Sequence, residues 1–180
     1  MQKPTVAHLK AAKRLLSYLR RTASRRLCYR GSSINFTLVS YTNSDFAGCR
    51  VITKSTFRYL FIVAKGPVSW KSKRSITVAL STLEAEFTGF MEGNREALWL
   101  RGLYLKLKCP IEGPIPLFSD NKGAINTAYN PKHYNRTKHT LLKYQGVRES
   151  VSGGHITITY VSTTKIPANG LTKALTPTKH

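Results

Sequence analysis

Between Ser81 and Leu107 an apolar residue returns every three or four positions: Leu83, Phe87, Phe90, Met91, Ala97, Leu98, Leu100, Leu103 and Leu107. That period predicts one long helix with a broad apolar stripe. Ser81 has the chemistry of an N-cap with Glu84 three residues on, and Pro110 with Gly113-Pro114 closes the element. Such a helix buries its stripe only against a wide partner, and the flanking segments supply one. Residues 36–42, 59–64 and 68–71 are short runs rich in β-branched and aromatic side chains. The second and third, separated by Lys65-Gly66-Pro67, read as a hairpin, and residues 77–80 offer a further extended piece. Beyond the helix, residues 115–119 read as a buried strand. Asp120 or Asn121 can cap a helix to Tyr129, residues 140–152 form another helix, residues 156–161 alternate as a strand, and 167–175 predict a short terminal helix. Upstream, Val6, Leu9, Ala12, Leu16 and Leu19 predict a helix over residues 4–24. The order implies an α/β fold: a mixed sheet flanked by helices and preceded by an N-terminal helix. Trp99, Leu98 and Leu103 are expected in its core.

The 180 residues carry 29 Lys and Arg against 8 Asp and Glu, a net charge of +21. Self-repulsion of this size favours a polyanionic partner, and nucleic acid is the first candidate. An acidic membrane surface is the second, but no basic amphipathic stretch ends in an aromatic face. Cys28, Cys49 and Cys109 lack the paired spacing of a zinc ribbon or a disulfide scaffold, so a reducing, intracellular setting is expected. No apolar run has membrane-spanning length.

With so few acids, their places stand out. Asp120 follows a strand at its C-terminal end, where mixed sheets put their chemistry. Glu86 lies in the first turns of the long helix. Each has an ordinary alternative, since strand-end Asp caps helices and early Glu complements the helix dipole. Their order changes the weight: a strand through Thr42-Asn43-Ser44-Asp45, a hairpin, a helix with Glu86, a strand ending at Asp120, and Asn169 at a helix start.

That order resembles the ribonuclease H fold, and local motifs resemble the ribonuclease H domain of copia-type retrotransposon Pol polyproteins. Residues 41–48 (YTNSDFAG) are similar to the family's YSDADWAG, 53–59 (TKSTFRY) to RKSTSGY, and 68–74 (VSWKSKR) to VSWSSKR. Residues 81–87 (STLEAEF) are similar to STEAEY, and EALWLR at 96–101 and RTKH at 136–139 stand intact. Residues 119–125 (SDNKGAI) are similar to CDNQSAI, and 160–175 to the family's ending. The first helix resembles the end of the reverse transcriptase connection. The resemblance therefore implies residues 1–33 as a connection remnant, 34–176 as a ribonuclease H-like domain and 177–180 as a tail. It also implies that the chain is a fragment of a polyprotein.

The resemblance implies hydrolysis of the RNA strand of RNA–DNA hybrids with two divalent ions, Mg²⁺ or Mn²⁺ in its place. Carried over by motif, the catalytic positions are Asn43, Glu86, Asp120 and Asn169. Glu86 and Asp120 keep the family's acids and are the metal ligands that remain; positions 43 and 169 are Asn where the family has Asp. Asn keeps a carbonyl oxygen without the charge, so metal binding is expected to weaken and catalysis to be impaired or lost. Asp45, two residues from position 43, is displaced by about 6.6 Å along the strand and is not expected to substitute. Arg21 and Arg58 also stand where the family has Gly, and Phe57 where it has Ser, a pattern consistent with an eroded copy. Trp70, Lys71, Lys73, Arg74, Arg136 and Lys138 are the expected nucleic-acid contacts. The partners implied are an RNA–DNA hybrid or other nucleic acid and the reverse transcriptase domain of the parent polyprotein. The alternatives are a non-catalytic basic binding domain and an unselected transposon fragment.

Overall fold

A computed structural model describes residues 4–30, 37–46, 54–130 and 138–168. Its elements are α1 (Val6–Arg21), β1 (Val39–Asp45), β2 (Thr56–Val63), β3 (Gly66–Arg74), α2 (Thr82–Lys106), β4 (Ile115–Ser119), α3 (Lys122–Tyr129), α4 (Lys138–Ser152) and β5 (Ile156–Tyr160), then a 3-10 turn at Thr163–Lys165. The strands form one sheet in the order β3-β2-β1-β4-β5. β2 pairs antiparallel with both β1 and β3, while β4 pairs parallel with both β1 and β5. This is the mixed sheet expected from the sequence, with β1 at its centre. Most of the helix expected over 167–175 lies outside the described residues.

The β2–β3 hairpin turns earlier than the Lys65-Gly66-Pro67 signal suggests. Ala64 and Lys65 take φ of 50° and 64°, and Gly66 and Pro67 already pair with Val63 and Ile62. Two successive left-handed residues match the strand twist, which is why short hairpins use them. Gly66 is small for another reason. A Cβ there would sit 2.5 Å from the Tyr29 ring. The preceding segment lies over the turn, with the Arg30 amide donating to the Ala64 carbonyl and the Tyr29 hydroxyl to the Pro67 carbonyl, both at 2.7 Å. Residues 77–80 form no strand. The β2–β3 ladder ends at the Thr56–Arg74 pair, and the chain then loops into α2.

α2 lies against β1 and β2 through a stripe that includes Phe87, Phe90, Gly93, Ala97 and Leu100, all buried. Leu98 and Trp99 fall off that stripe and are 39% and 60% exposed, so the expectation that they belong to the core is wrong. Helical spacing admits one face, and positions 98 and 99 sit beside the one in use. Leu103 is half-buried. Phe61, Phe87, Phe90, Leu117, Val147 and Ile156 form the fully buried centre. α1 buries none of its residues, and Val6, Leu9, Leu16 and Leu19 are exposed.

The intact EALWLR segment has a structural explanation. Glu96 accepts from the Tyr59 hydroxyl at 3.0 Å and the Ser69 hydroxyl at 2.6 Å, tying α2 to β2 and β3. Arg101 donates to the carbonyls of Ile111, Gly113 and His155 at 3.0, 2.6 and 3.0 Å, tying α2 to the approaches of β4 and β5. Charge-assisted bonds of this kind contribute more than neutral ones. Arg101→Leu is expected to lower stability by about 3 kcal/mol, measured by urea denaturation.

Candidate functional site

The site forms where β1, β2, the end of β4 and the start of α2 converge. Asn43 lies inside β1 and is buried. In the antiparallel ladder it stands opposite Arg58, and Asp45 stands opposite Thr56. Directly opposed residues share one face of the sheet. On its other side β1 pairs with β4 through Ser40–Leu117 and Tyr41–Phe118. The same step carried two residues further brings Asn43 level with Asp120.

Asp120 is half-buried and does not cap the following helix. That task falls to Asn121, whose side-chain oxygen accepts from the Ala124 amide at 2.9 Å. Glu86 is likewise not used at its helix terminus. Ser81 accepts from the Glu84 amide at 3.2 Å, and the Glu84 carboxylate reaches back to the Leu80 amide at 2.8 Å. The ordinary roles of both acids are thus taken by neighbours. Glu86 is 4% exposed. Beside it, the Ser44 hydroxyl donates to the Ala85 carbonyl at 2.9 Å and holds the start of α2 against β1. Gly89 permits that approach, since a Cβ there would lie 2.8 Å from Ser44 Oγ.

Arg58 is the site residue that sequence reasoning missed. It is completely buried. Burial pushes its guanidinium below the ordinary arginine value, and Asp45, Glu86 and Asp120 each pull it back up. The available signal was its position in TKSTFRY, which the hairpin register sets opposite Asn43. Asn43 thus stands opposite one buried cation, and Asp45, Glu86 and Asp120 lie within its electrostatic reach. Asn169, the fourth motif position, lies outside the described residues.

Such a donor set does not fit a divalent ion. Hard dications take several oxygen ligands with carboxylates prominent among them. Among the described residues no group of three His, Cys, Asp or Glu side chains is arranged to hold a metal. Position 43 presents a carboxamide, and the buried Arg58 stands opposite it in the ladder.

The expected nucleic-acid contacts divide. Trp70 is 55% exposed on β3, the edge strand, and Lys73 and Arg74 beside it are exposed. Lys71 turns inward: its Nζ lies 3.2 Å from Glu92 Oε2 and 5.8 Å from the centre of the Phe57 ring. Arg136 and the side chain of Lys138 lie outside the described residues. No helix among the described residues is long and apolar enough to cross a membrane.

No family model matches the chain. Its sequence is 35% identical over 175 residues to the retrovirus-related Pol polyprotein from transposon TNT 1-94 of Nicotiana tabacum, covering 97% of this chain and 13% of that protein. It is 32% identical over 178 residues to the Pol polyprotein from transposon RE1 of Arabidopsis thaliana, covering 99% of this chain and 12% of that protein.

The chain is homologous to a segment of copia-type retrotransposon Pol polyproteins.

It spans about an eighth of the length of these Pol relatives. Among solved structures it is similar to an RNase H1 isolated from compost, with a TM-score of 0.56, 12% identity, and coverage of 76% of this chain and 93% of that one. The same enzyme solved in complex with RNA/DNA hybrid gives a TM-score of 0.52 at 11% identity, covering 74% and 92%. The Pol-homologous chain thus has the ribonuclease H-like fold expected from its motifs.

Proposed function

We propose that this chain is the ribonuclease H-like segment of a retrotransposon Pol polyprotein in which hydrolysis of the RNA strand of RNA–DNA hybrids is impaired or lost, while nucleic-acid binding remains. The observation that carries the reading is Asn43. It sits buried at the centre of the sheet, level with Asp120 and beside the helix start that bears Glu86, where the family motif has Asp. With Asn169 it takes two negative charges from a set of four. The family's divalent-ion chemistry, with Mg²⁺ or Mn²⁺, depends on that charge. The fold neighbour solved with RNA/DNA hybrid supports hybrid as the ancestral ligand.

The segment division fits the same reading: residues 1–33 as the reverse transcriptase connection, 34–176 as the ribonuclease H-like domain and 177–180 as a tail. The exposed apolar stripe of α1 suits a helix that leans on the reverse transcriptase domain of the parent polyprotein. The excess charge of +21 and the exposed Trp70 and Arg74 on one face of an edge strand, with Lys73 on the other, suit a phosphate backbone, with the indole packing on sugar or base.

Binding and cleavage separate in one experiment. A labelled hybrid is titrated with the protein across a salt series, and its RNA strand is then run on a denaturing gel with Mg²⁺ or Mn²⁺ present. Salt-sensitive binding with an intact RNA strand is expected. Lys73→Ala with Arg74→Ala is expected to weaken binding roughly tenfold and to flatten the log–log salt slope by about 2. Cleavage at the rate of an intact relative contradicts the catalytic half of the proposal. Binding that neither responds to salt nor weakens in the double variant contradicts the other half.

A further inference from the structure

All eight acids of the chain lie within the described residues, so the neighbours of its buried cation can be sorted. Glu84 serves the Leu80 amide, Glu92 meets Lys71 and Arg95, Glu96 meets Tyr59 and Ser69, Glu149 meets Gln145, and Glu112 is exposed in the loop before β4. Asp45, Glu86 and Asp120 remain at the end of the sheet where Arg58 is buried. Arg58 stands opposite Asn43 across β2 and β1, a step of about 4.8 Å, and Asp120 directly follows the end of β4, the strand on the other side of β1. Arg58 and Asn43 share a face, so the long Arg side chain emerges on the face that carries Asn43. It is 0% exposed, and a buried charge is sustained only beside opposite charge or hydrogen-bonding groups. A guanidinium stays protonated, so its charge acts on the nearby carboxylates through space. The family motif has Gly here, which leaves the pocket open.

We infer that the Arg58 guanidinium occupies the pocket a dication would need and acts as the resident counter-cation of Glu86, Asp120 and Asp45, so that the site is closed to divalent metal by its own side chain. This rests on the reading of positions 43, 86, 120 and 169 as an ancestral cation site. It adds a second, independent lesion: restoring the two missing carboxylates leaves the ion's place taken.

The test is Mn²⁺ binding, followed by loss of the free-ion electron paramagnetic resonance signal without any nucleic acid. Four proteins are compared: unsubstituted, Arg58→Gly, Asn43→Asp with Asn169→Asp, and all three changes together. The pair of Asp restorations alone is expected to bind Mn²⁺ within about threefold of the unsubstituted chain. Adding Arg58→Gly is expected to tighten binding at least tenfold. If the Asp pair binds as tightly as the triple variant, the inference about Arg58 falls while the cation-site reading stands. If the folded triple variant binds no better than the unsubstituted chain, the cation-site reading falls and takes the inference with it. Should glycine in β2 prevent folding, Arg58→Met keeps the volume and removes the charge. On the Asp-restored background its melting temperature is then expected to rise by about 5 °C or more in Mn²⁺ at a hundred times Kd, with no rise in the unsubstituted chain. No rise in the Met variant overturns the inference.

Discussion

Asn43→Asp, Asn169→Asp and Arg58→Gly made together are expected to raise hybrid cleavage at least a hundredfold over the unsubstituted chain. The two Asp restorations without Arg58→Gly are expected to gain less than tenfold. The magnitudes come from charge. A unit charge about 4 Å from a dication interacts by roughly 8 kcal/mol at an effective dielectric near 20, most of it offset by hydration of the free ion. A residual of about 3 kcal/mol is already about a hundredfold, since roughly 1.4 kcal/mol is tenfold. A guanidinium in the same pocket opposes the ion with the reverse sign, so added carboxylates first strengthen its hold on Arg58. Equal recovery with and without Arg58→Gly, read from initial rates of RNA-strand cleavage, contradicts this coupling.

Phe87→Ala is expected to cause the largest loss of stability. Phe87 is fully buried, stacks on Tyr144 with centroids 3.8 Å apart, and meets Phe90 edge-on at 5.5 Å. It joins α2 to α4 next to the helix turn that carries Glu86. Truncating such a ring costs about 3–5 kcal/mol, against a total stability of roughly 5–15 kcal/mol for a domain. A melting temperature lower by about 10 °C is expected by circular dichroism. Trp99→Ala, in a larger aromatic residue of the same helix, is expected to change stability by less than about 1 kcal/mol, because the indole is mostly exposed. Equal losses from the two would show that the buried stripe of α2 is misassigned.

Those two aromatics mark how far the sequence could be read. Helical periodicity locates α2 well, since Ser81 does cap it and it ends at Lys106. Period alone leaves two possible edges to the apolar stripe, and Leu98 and Trp99 fall outside the one that β1 and β2 cover. The hairpin was legible from its two apolar runs, but its turn was not. Gly66 drew attention as a turn residue, whereas the left-handed positions are Ala64 and Lys65 and the glycine yields to Tyr29. That contact joins residues far apart in sequence, which no local pattern encodes. Of the site, Glu86 and Asp120 were legible from their order along the chain and from motif resemblance. Their release from capping duty emerged only with the hydrogen bonds of Glu84 and Asn121. Arg58 was visible as a departure from Gly, but its meaning depends on register: only the pairing with Asn43 turns a strand substitution into a charge inside the pocket.

The central claim is that this Pol-homologous segment keeps a ribonuclease H-like fold whose acidic pocket no longer supports chemistry. The most direct measurement is a single-turnover assay with the unsubstituted protein in excess over a labelled RNA–DNA hybrid, at saturating binding and in millimolar Mg²⁺ and then Mn²⁺. The account predicts a bound hybrid whose RNA strand stays full length, at no more than about a hundredth of the rate of an intact relative. Prompt conversion of the bound RNA strand to short products in either metal contradicts it.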